Sequence, residues 1–228
     1  MKPPAGAALT TTMVVLTLTT GIVEAVSFLV LGPVFTAVQT GNLLLLGFAV
    51  AGEGGLSPAA SAASLGGFVA GAVLGARFES ALGRRGRHWF GPALLTEAAL
   101  LAAAGAVAWR TGAHPAGPEP ALTALVAVAM GIRNITTLRA RVPDFTTTVA
   151  TRSLTALLAP LGADTRIDAG AGRQARRLAT VGAMFTGGLI GALLLRAGAS
   201  PAVLLLVVAG SVVVGAAVHE AARHRSTG

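Results

Sequence analysis

The stretch GIVEAVSFLVLGPVFTAVQTGNLLLL, residues 21–46, decides how the rest of the chain is read. It is apolar enough for a membrane interior, yet it holds Glu24, Gln39 and Asn42 and is interrupted at Gly32-Pro33. Proline lacks the backbone N–H that a helix interior needs, so one unbroken helix through this stretch is excluded. A second stretch, GIRNITTLRARVPDFTTTVATRSLTAL over 131–157, repeats the pattern: Gly21, Ile22, Pro33, Phe35 and Thr36 align with Gly131, Ile132, Pro143, Phe145 and Thr146. Glu24 falls opposite Asn134 and, with one inserted residue, Thr40 falls opposite Thr151. Further on, Gly66, Gly71 and Gly75 have the same mutual spacing as Gly182, Gly187 and Gly191. The sequence reads as two related halves, about 8–110 and about 119–218, inside a single transmembrane domain covering 1–228.

Composition points the same way. The chain is 54% hydrophobic and 11% charged, with a mean hydropathy of +0.74, whereas a soluble domain is about one-quarter charged. A net charge of +8 would suit a nucleic-acid partner in a soluble protein. Here the arginines cluster in short connections, at Arg84, Arg85 and Arg87, at Arg173, Arg176 and Arg177, and at Arg223 and Arg225, as cytoplasmic loops of membrane proteins require. No aromatic residues interleave them, so a base-stacking surface is not expected. Cysteine is absent, which removes disulfides, thiolate metal sites and cysteine nucleophiles. The four histidines, at 88, 114, 219 and 224, have no metal-ligand spacing, and neither a metal nor a cofactor is expected.

The N-terminal segment has the outline of a secretory signal, with Lys2, an apolar run and Val23-Glu24-Ala25 in place of a cleavage site. The same pattern recurs in mid-chain at Gly131, where no signal peptide can sit, so the segment is expected to stay as a helix. Apolar segments fall at 8–31, 33–51, 58–76, 90–109, 119–138, 143–161, 178–195 and 201–218. A bilayer core roughly 30 Å thick takes about 20 helical residues to cross. If all eight segments crossed, one arginine cluster would face outward. The conflict disappears if each proline-broken pair, 8–51 and 119–161, crosses once on balance.

The expected fold is therefore all-α: a polytopic helical bundle with six crossings, three per half. Because three is odd, the second half is inverted relative to the first, with both termini cytoplasmic. That is the inverted-repeat plan of many secondary transporters. Within each pair the first segment is the span and the second a re-entrant hairpin opened by Pro33 or Pro143. Its turn is expected at Thr40-Gly41-Asn42 or Thr151-Arg152-Ser153, roughly 10 Å deep at about 1.5 Å rise per residue. Gly71-x-x-x-Gly75 and Gly187-x-x-x-Gly191 offer small-residue faces for close helix contact, within one chain or between two copies of a homo-oligomer.

Ionisable groups inside apolar segments are costly and call for a functional reading. Glu24 is the foremost candidate, either as a proton- or substrate-coupling carboxyl or as a hydrogen-bonding partner of a neighbouring helix. Asn134 stands opposite it in the repeat. Glu97 has no counterpart and is read as lying near the cytoplasmic end. Arg133, about two turns from its helix end, is expected to snorkel outward. Gln39, Thr40, Gly41, Asn42, Asp144, Thr151 and Arg152 complete the candidate substrate or coupling-ion site, in which Arg152 hints at an anionic solute. No nucleophile, phosphate-loop or metalloprotease motif is present, so enzymatic activity is not expected.

The paired GIVEAVSFLVLG…TGN and MGIRN…VPDFTTTV…T…LT stretches resemble the two hallmark motifs of the YoaK-like (DUF1275) bacterial membrane proteins, over nearly the whole chain. The resemblance implies an integral inner-membrane protein of about six helices, and carries no biochemical activity with it. Glu24 stands where that family's first motif carries Asp, and Arg152 where its second carries Gly. Taken together, these features lead to an expected small-solute permease or exporter in the inner membrane, proton-coupled through Glu24, with Glu24→Gln leaving the fold intact. A non-transporting membrane scaffold or accessory subunit is the alternative.

Overall fold

The computed structural model describes residues 5–86, 88–112, 119–140 and 171–227. Seven helices are present among them: α1 Ala5–Leu29, α2 Gln39–Val50, α3 Pro58–Arg84, α4 Phe90–Thr111, α5 Pro120–Arg139, α6 Ala171–Arg196 and α7 Pro201–Thr227. All but α2 are long and apolar enough to cross a membrane. Local chemistry sets their ends. Ser57 caps α3, its hydroxyl accepting the Ala60 N–H at 3.2 Å, and Pro58 opens that helix, where a missing N–H is harmless. Gly112 closes α4 in the left-handed conformation. The apolar segment 143–161 and its Pro143 lie outside the described residues.

Helices α1 and α5 form the buried centre, around Met13, Val23, Val26, Leu94, Leu101, Val126, Met130 and Leu205. Helices α3 and α6 flank it and expose apolar side chains such as Val69, Leu74, Phe185 and Leu193, as lipid-facing surfaces do. The strongest packing is crossed between the two parts of the chain: α3 lies on α5, and α6 lies on α1. Helices α4 and α7 pack on each other, and then α4 on α5 and α7 on α1.

Glycines make the crossed contacts close. A Cβ on Gly71 would strike the carbonyl of Val128, and one on Gly187 would strike the carbonyl of Leu18. Gly75 abuts Ile132 and Gly191 abuts Ile22; Gly131 abuts the carbonyl of Phe68, and Gly21 that of Met184. Every one of these contacts is matched by its partner under the alignment of the two halves. The small-residue faces are thus occupied by helices of the same chain, and at these positions leave no room for a second copy.

Because successive spans run antiparallel, the Arg84, Arg139, Arg176–Arg177 and Arg223–Arg225 positions collect at one end of the bundle, together with both described chain ends. The 51–57 connection, Gly112, Glu119 and Ser200 lie at the other.

Candidate functional site

Helix α1 ends at Leu29, and the backbone then runs without helix through 30–38 before α2 begins. Gly32 adopts φ 117°, a conformation other residues avoid, and Pro33 follows it. The Leu31 carbonyl accepts the Glu119 N–H at 3.1 Å, which places it at the head of α5. From there the segment dips back beside α1. Glu24 Oε2 accepts the N–H of Thr36 at 3.0 Å, and Oε1 accepts those of Ala37 at 2.5 Å and Val38 at 3.1 Å. Glu24 lies five residues before the end of α1, so the descent is about 7 Å at 1.5 Å per residue. Helix α2 then climbs back to the 51–57 connection.

The dipping segment is therefore irregular rather than helical, with bends at 31, 33, 36 and 37, and it turns just before Gln39. This corrects the expectation that Pro33 opens a helical limb and that Thr40-Gly41-Asn42 forms the turn; those three residues are the first turn of α2. The physical reason is that the carboxylate of Glu24 takes the N–H groups of residues 36–38, so these groups are satisfied without helical bonds to carbonyls four residues earlier. Non-helical backbone at this depth is tolerable only when its polar groups are bonded within the protein.

The remaining polar residues complete that bonding. Asn42 Oδ1 accepts the Phe35 N–H at 2.8 Å and its Nδ2 donates to the Phe35 carbonyl and to Ser64 Oγ. Ser64 Oγ donates to the same Phe35 carbonyl at 2.6 Å. Gln39 Nε2 donates to the Thr36 carbonyl at 2.8 Å, and Ser27 Oγ to the Val34 carbonyl at 2.7 Å. Phe35 stacks on Phe28, with ring centroids 5.0 Å apart, and fills the place that a Cβ on Gly41 would need. Thr40 is exposed. So the structure brings Glu24, Gln39, Gly41 and Asn42 together around the dipping backbone, with Ser27 and Ser64 as members that sequence reasoning missed.

This geometry overturns the expected harmlessness of Glu24→Gln. Glutamine would present an N–H₂ to one of the three backbone N–H groups, donor against donor. A buried donor left unsatisfied costs about 1–3 kcal/mol, so Glu24→Gln is expected to lower the thermal unfolding midpoint of purified protein measurably. Unchanged stability in Glu24→Gln would show that the carboxylate is not what holds residues 36–38.

A second polar group lies deeper, between α1, α4 and α5. Arg133 is 3% exposed and Glu97 fully buried. The guanidinium donates to Glu97 Oε1 from Nε at 2.9 Å and from Nη2 at 2.5 Å. Its Nη1 donates to the Leu16 carbonyl at 3.0 Å and to Thr19 and Thr20 hydroxyls at 3.1 and 2.9 Å. Both readings made from sequence need correction: Arg133 does not snorkel, and Glu97 is no marginal residue at a helix end. The two charges lie on neighbouring helices at matching depth, so each neutralises the other in the buried interior. Glu97 Oε2 has no hydrogen-bond partner among the described residues. Asn134 makes no hydrogen bond to Glu24 and is half-buried beside Arg133. It lines a narrow crevice with Leu16, Thr17, Thr20, Ala37, Met130 and Thr137. Asp144, Thr151 and Arg152 lie outside the described residues.

A third carboxylate, Glu79, went unread because the apolar segment was ended at 76, whereas α3 continues to Arg84. The apolar spacing of Phe78, Ala81 and Leu82 was the available signal. Glu79 Oε1 accepts the Thr136 hydroxyl at 2.6 Å and its Oε2 is 3.3 Å from Arg139 Nε, which fastens α3 to α5 near the arginine-rich end. Among the described residues no cluster of side chains suits a metal ion.

No curated protein and no solved structure matches the chain. A family model described as "Protein of unknown function (DUF1275)" matches residues 12–218. The chain, whose described residues form six membrane-length apolar helices and a polar, proline-broken segment in the first half, thus belongs to the DUF1275 family.

Proposed function

We propose that the chain is a small-solute permease or exporter of the bacterial inner membrane, built from two inverted three-helix halves with both termini in the cytoplasm. The observation that carries this reading is the buried Arg133–Glu97 pair, whose Glu97 belongs to the first half and whose Arg133 belongs to the second. Ionisable residues inside membrane helices face the bundle interior and mark solute or ion pathways, and a seam between inverted repeats is where transporters place them. The crossed packing of α3 on α5 and of α6 on α1 supports the inverted repeat, since exchanging the halves reproduces it. In this reading Glu24 holds the dipping segment, and coupling, where it occurs, belongs elsewhere. The link from repeat architecture to transport is one of fold analogy. We assign no enzymatic role and no nucleic-acid partner.

The test is metabolite profiling of a strain lacking the protein beside one overproducing it, followed by flux measurement in proteoliposomes for each metabolite that shifts in opposite directions. Flux dependent on the protein supports the permease. A second reading, a non-transporting scaffold or accessory subunit, is favoured by one observation: Glu24, Asn42 and Ser64 are all engaged on backbone groups of the chain itself. No shifted metabolite and no flux gives that reading the place. The orientation is checked separately by single cysteines introduced at Ser57, Ser200 and Arg84 of this cysteine-free chain. An impermeant maleimide is expected to label the first two from outside in intact cells, and labelling at Arg84 would overturn the assignment.

A further inference from the structure

The Arg133–Glu97 pair is incompletely satisfied among the described residues. Glu97 Oε2 is buried without a hydrogen-bond partner. On the other side, Nη2 of Arg133 makes its one bond to Glu97, so its second hydrogen has no acceptor among the described residues. The side-chain amide of Asn134, the adjacent residue, bonds no described residue either. Both Arg133 and Asn134 line the crevice that also touches Thr17, Thr20 and Thr137. Arg133, cationic and almost wholly buried, and the half-buried Asn134 therefore border a space whose volume of about 10 Å³ holds about one water.

A bidentate, planar guanidinium is suited to a carboxylate or another oxyanion. Here one such partner, Glu97, is already seated and uses a single oxygen for both bonds. A second anion can take the guanidinium only if Glu97 gives it up, and a carboxylate stripped of its counter-charge away from water takes a proton instead of staying ionised. We propose that Arg133 and Asn134 form the binding seat for the anionic group of a small solute, that Glu97 is the counter-ion the solute displaces, and that one proton is taken up on Glu97 for each anion bound. The charge balances: guanidinium and carboxylate before binding, guanidinium and solute anion with a neutral carboxyl after it. This rests on the permease reading in one respect, because a space of about 10 Å³ is too small for a solute and the halves must part at the α1–α5 seam to admit one.

Other charged groups are placed not to interfere. On α7, the helix packed against α4, no titratable residue occurs before His219 and Glu220, which lie at the far end beside Phe90 and Gly91. On α3, Glu79 is engaged by Thr136 and Arg139. On α1, Glu24 is engaged by the backbone of 36–38.

The experiment measures binding of methanesulfonate and of nitrate, which stay ionised throughout, to the purified full chain by thermal shift between pH 5.5 and 7.5. Uptake of one proton per anion makes affinity fall about tenfold per pH unit. Glu97→Gln mimics the neutral carboxyl and is expected to bind the anion with that dependence flattened, while Arg133→Gln loses binding. Because Arg133→Gln alone can unfold, Asn134→Ala serves as the milder variant and should weaken binding at every pH without changing the slope. Absence of binding by either probe, or a pH slope identical in wild type and Glu97→Gln, overturns the proposal. Binding with the stated slope but no solute flux in liposomes keeps the seat and removes the permease.

Discussion

Arg133→Met alone is expected to destabilise the bundle by about 3–5 kcal/mol, because it leaves the buried Glu97 carboxylate without its counter-charge. Combining it with Glu97→Met should restore most of that loss, since a buried ion pair replaced as a unit by apolar groups of similar size is often neutral or better. The acceptors released by Arg133 favour this outcome. The hydroxyls of Thr19 and Thr20 already donate to the Leu16 carbonyl at 3.0 and 2.8 Å, so that carbonyl keeps two bonds. The measurement is a double-mutant cycle of unfolding in detergent, with Glu97→Met as the fourth corner. If the double variant is as unstable as the worse single one, the guanidinium supports α1 and α5 by itself and its pairing with Glu97 is incidental.

The second large effect is steric. Gly71→Ala and Gly187→Ala should each cost about 1–3 kcal/mol, the range for overpacking a tight contact. A methyl group at either position meets a backbone carbonyl, that of Val128 or Leu18, which cannot rotate away. Gly66→Ala and Gly182→Ala are the controls. Nothing lies within 4 Å of a Cβ at either position, so these changes should be neutral or stabilise by up to about 1 kcal/mol through helix propensity. All four variants can be compared by thermal unfolding. Equal behaviour of Gly71→Ala and Gly66→Ala would show that α3 and α5 do not approach so closely, and a cost at Gly71 without one at Gly187 would break the equivalence of the two crossed contacts.

That the described residues hold six long apolar spans was legible because it depends on length and hydropathy, which are local, whereas several ends were not, since α3 and α7 run on past their apolar segments to Arg84 and Thr227. So was the dip near Pro33, because a proline and a carboxylate together in one apolar stretch are hard to reconcile with an unbroken span. Its form was not legible. A sequence shows that Pro33 denies a hydrogen bond, but not that Glu24 will collect three N–H groups twelve to fourteen residues later, since that choice depends on how α1 and the returning chain lie side by side. Arg133 and Glu97 were misjudged for the same reason. Position within a helix suggested a route to water for each, and only the packing of α4 on α5 turns them toward one another. The glycine faces were found by spacing, while their actual partners, α5 for α3 and α1 for α6, are facts of the tertiary structure alone.

The crossed packing also has a bearing on how the protein is made. Helix α1 leaves the ribosome before every other described helix, yet the helix that covers its glycine-tight face, α6, follows only after four more. Until then α1 lies in lipid with its main interface bare, and α3 waits likewise for α5. Neither half can be completed from its own segments, so maturation has no natural pause at mid-chain, and the decisive joining of distant segments comes after most of the chain has entered the membrane. Contacts so distant in sequence form slowly, and a chain interrupted before α6 exposes a surface that a second molecule's α6 could fill.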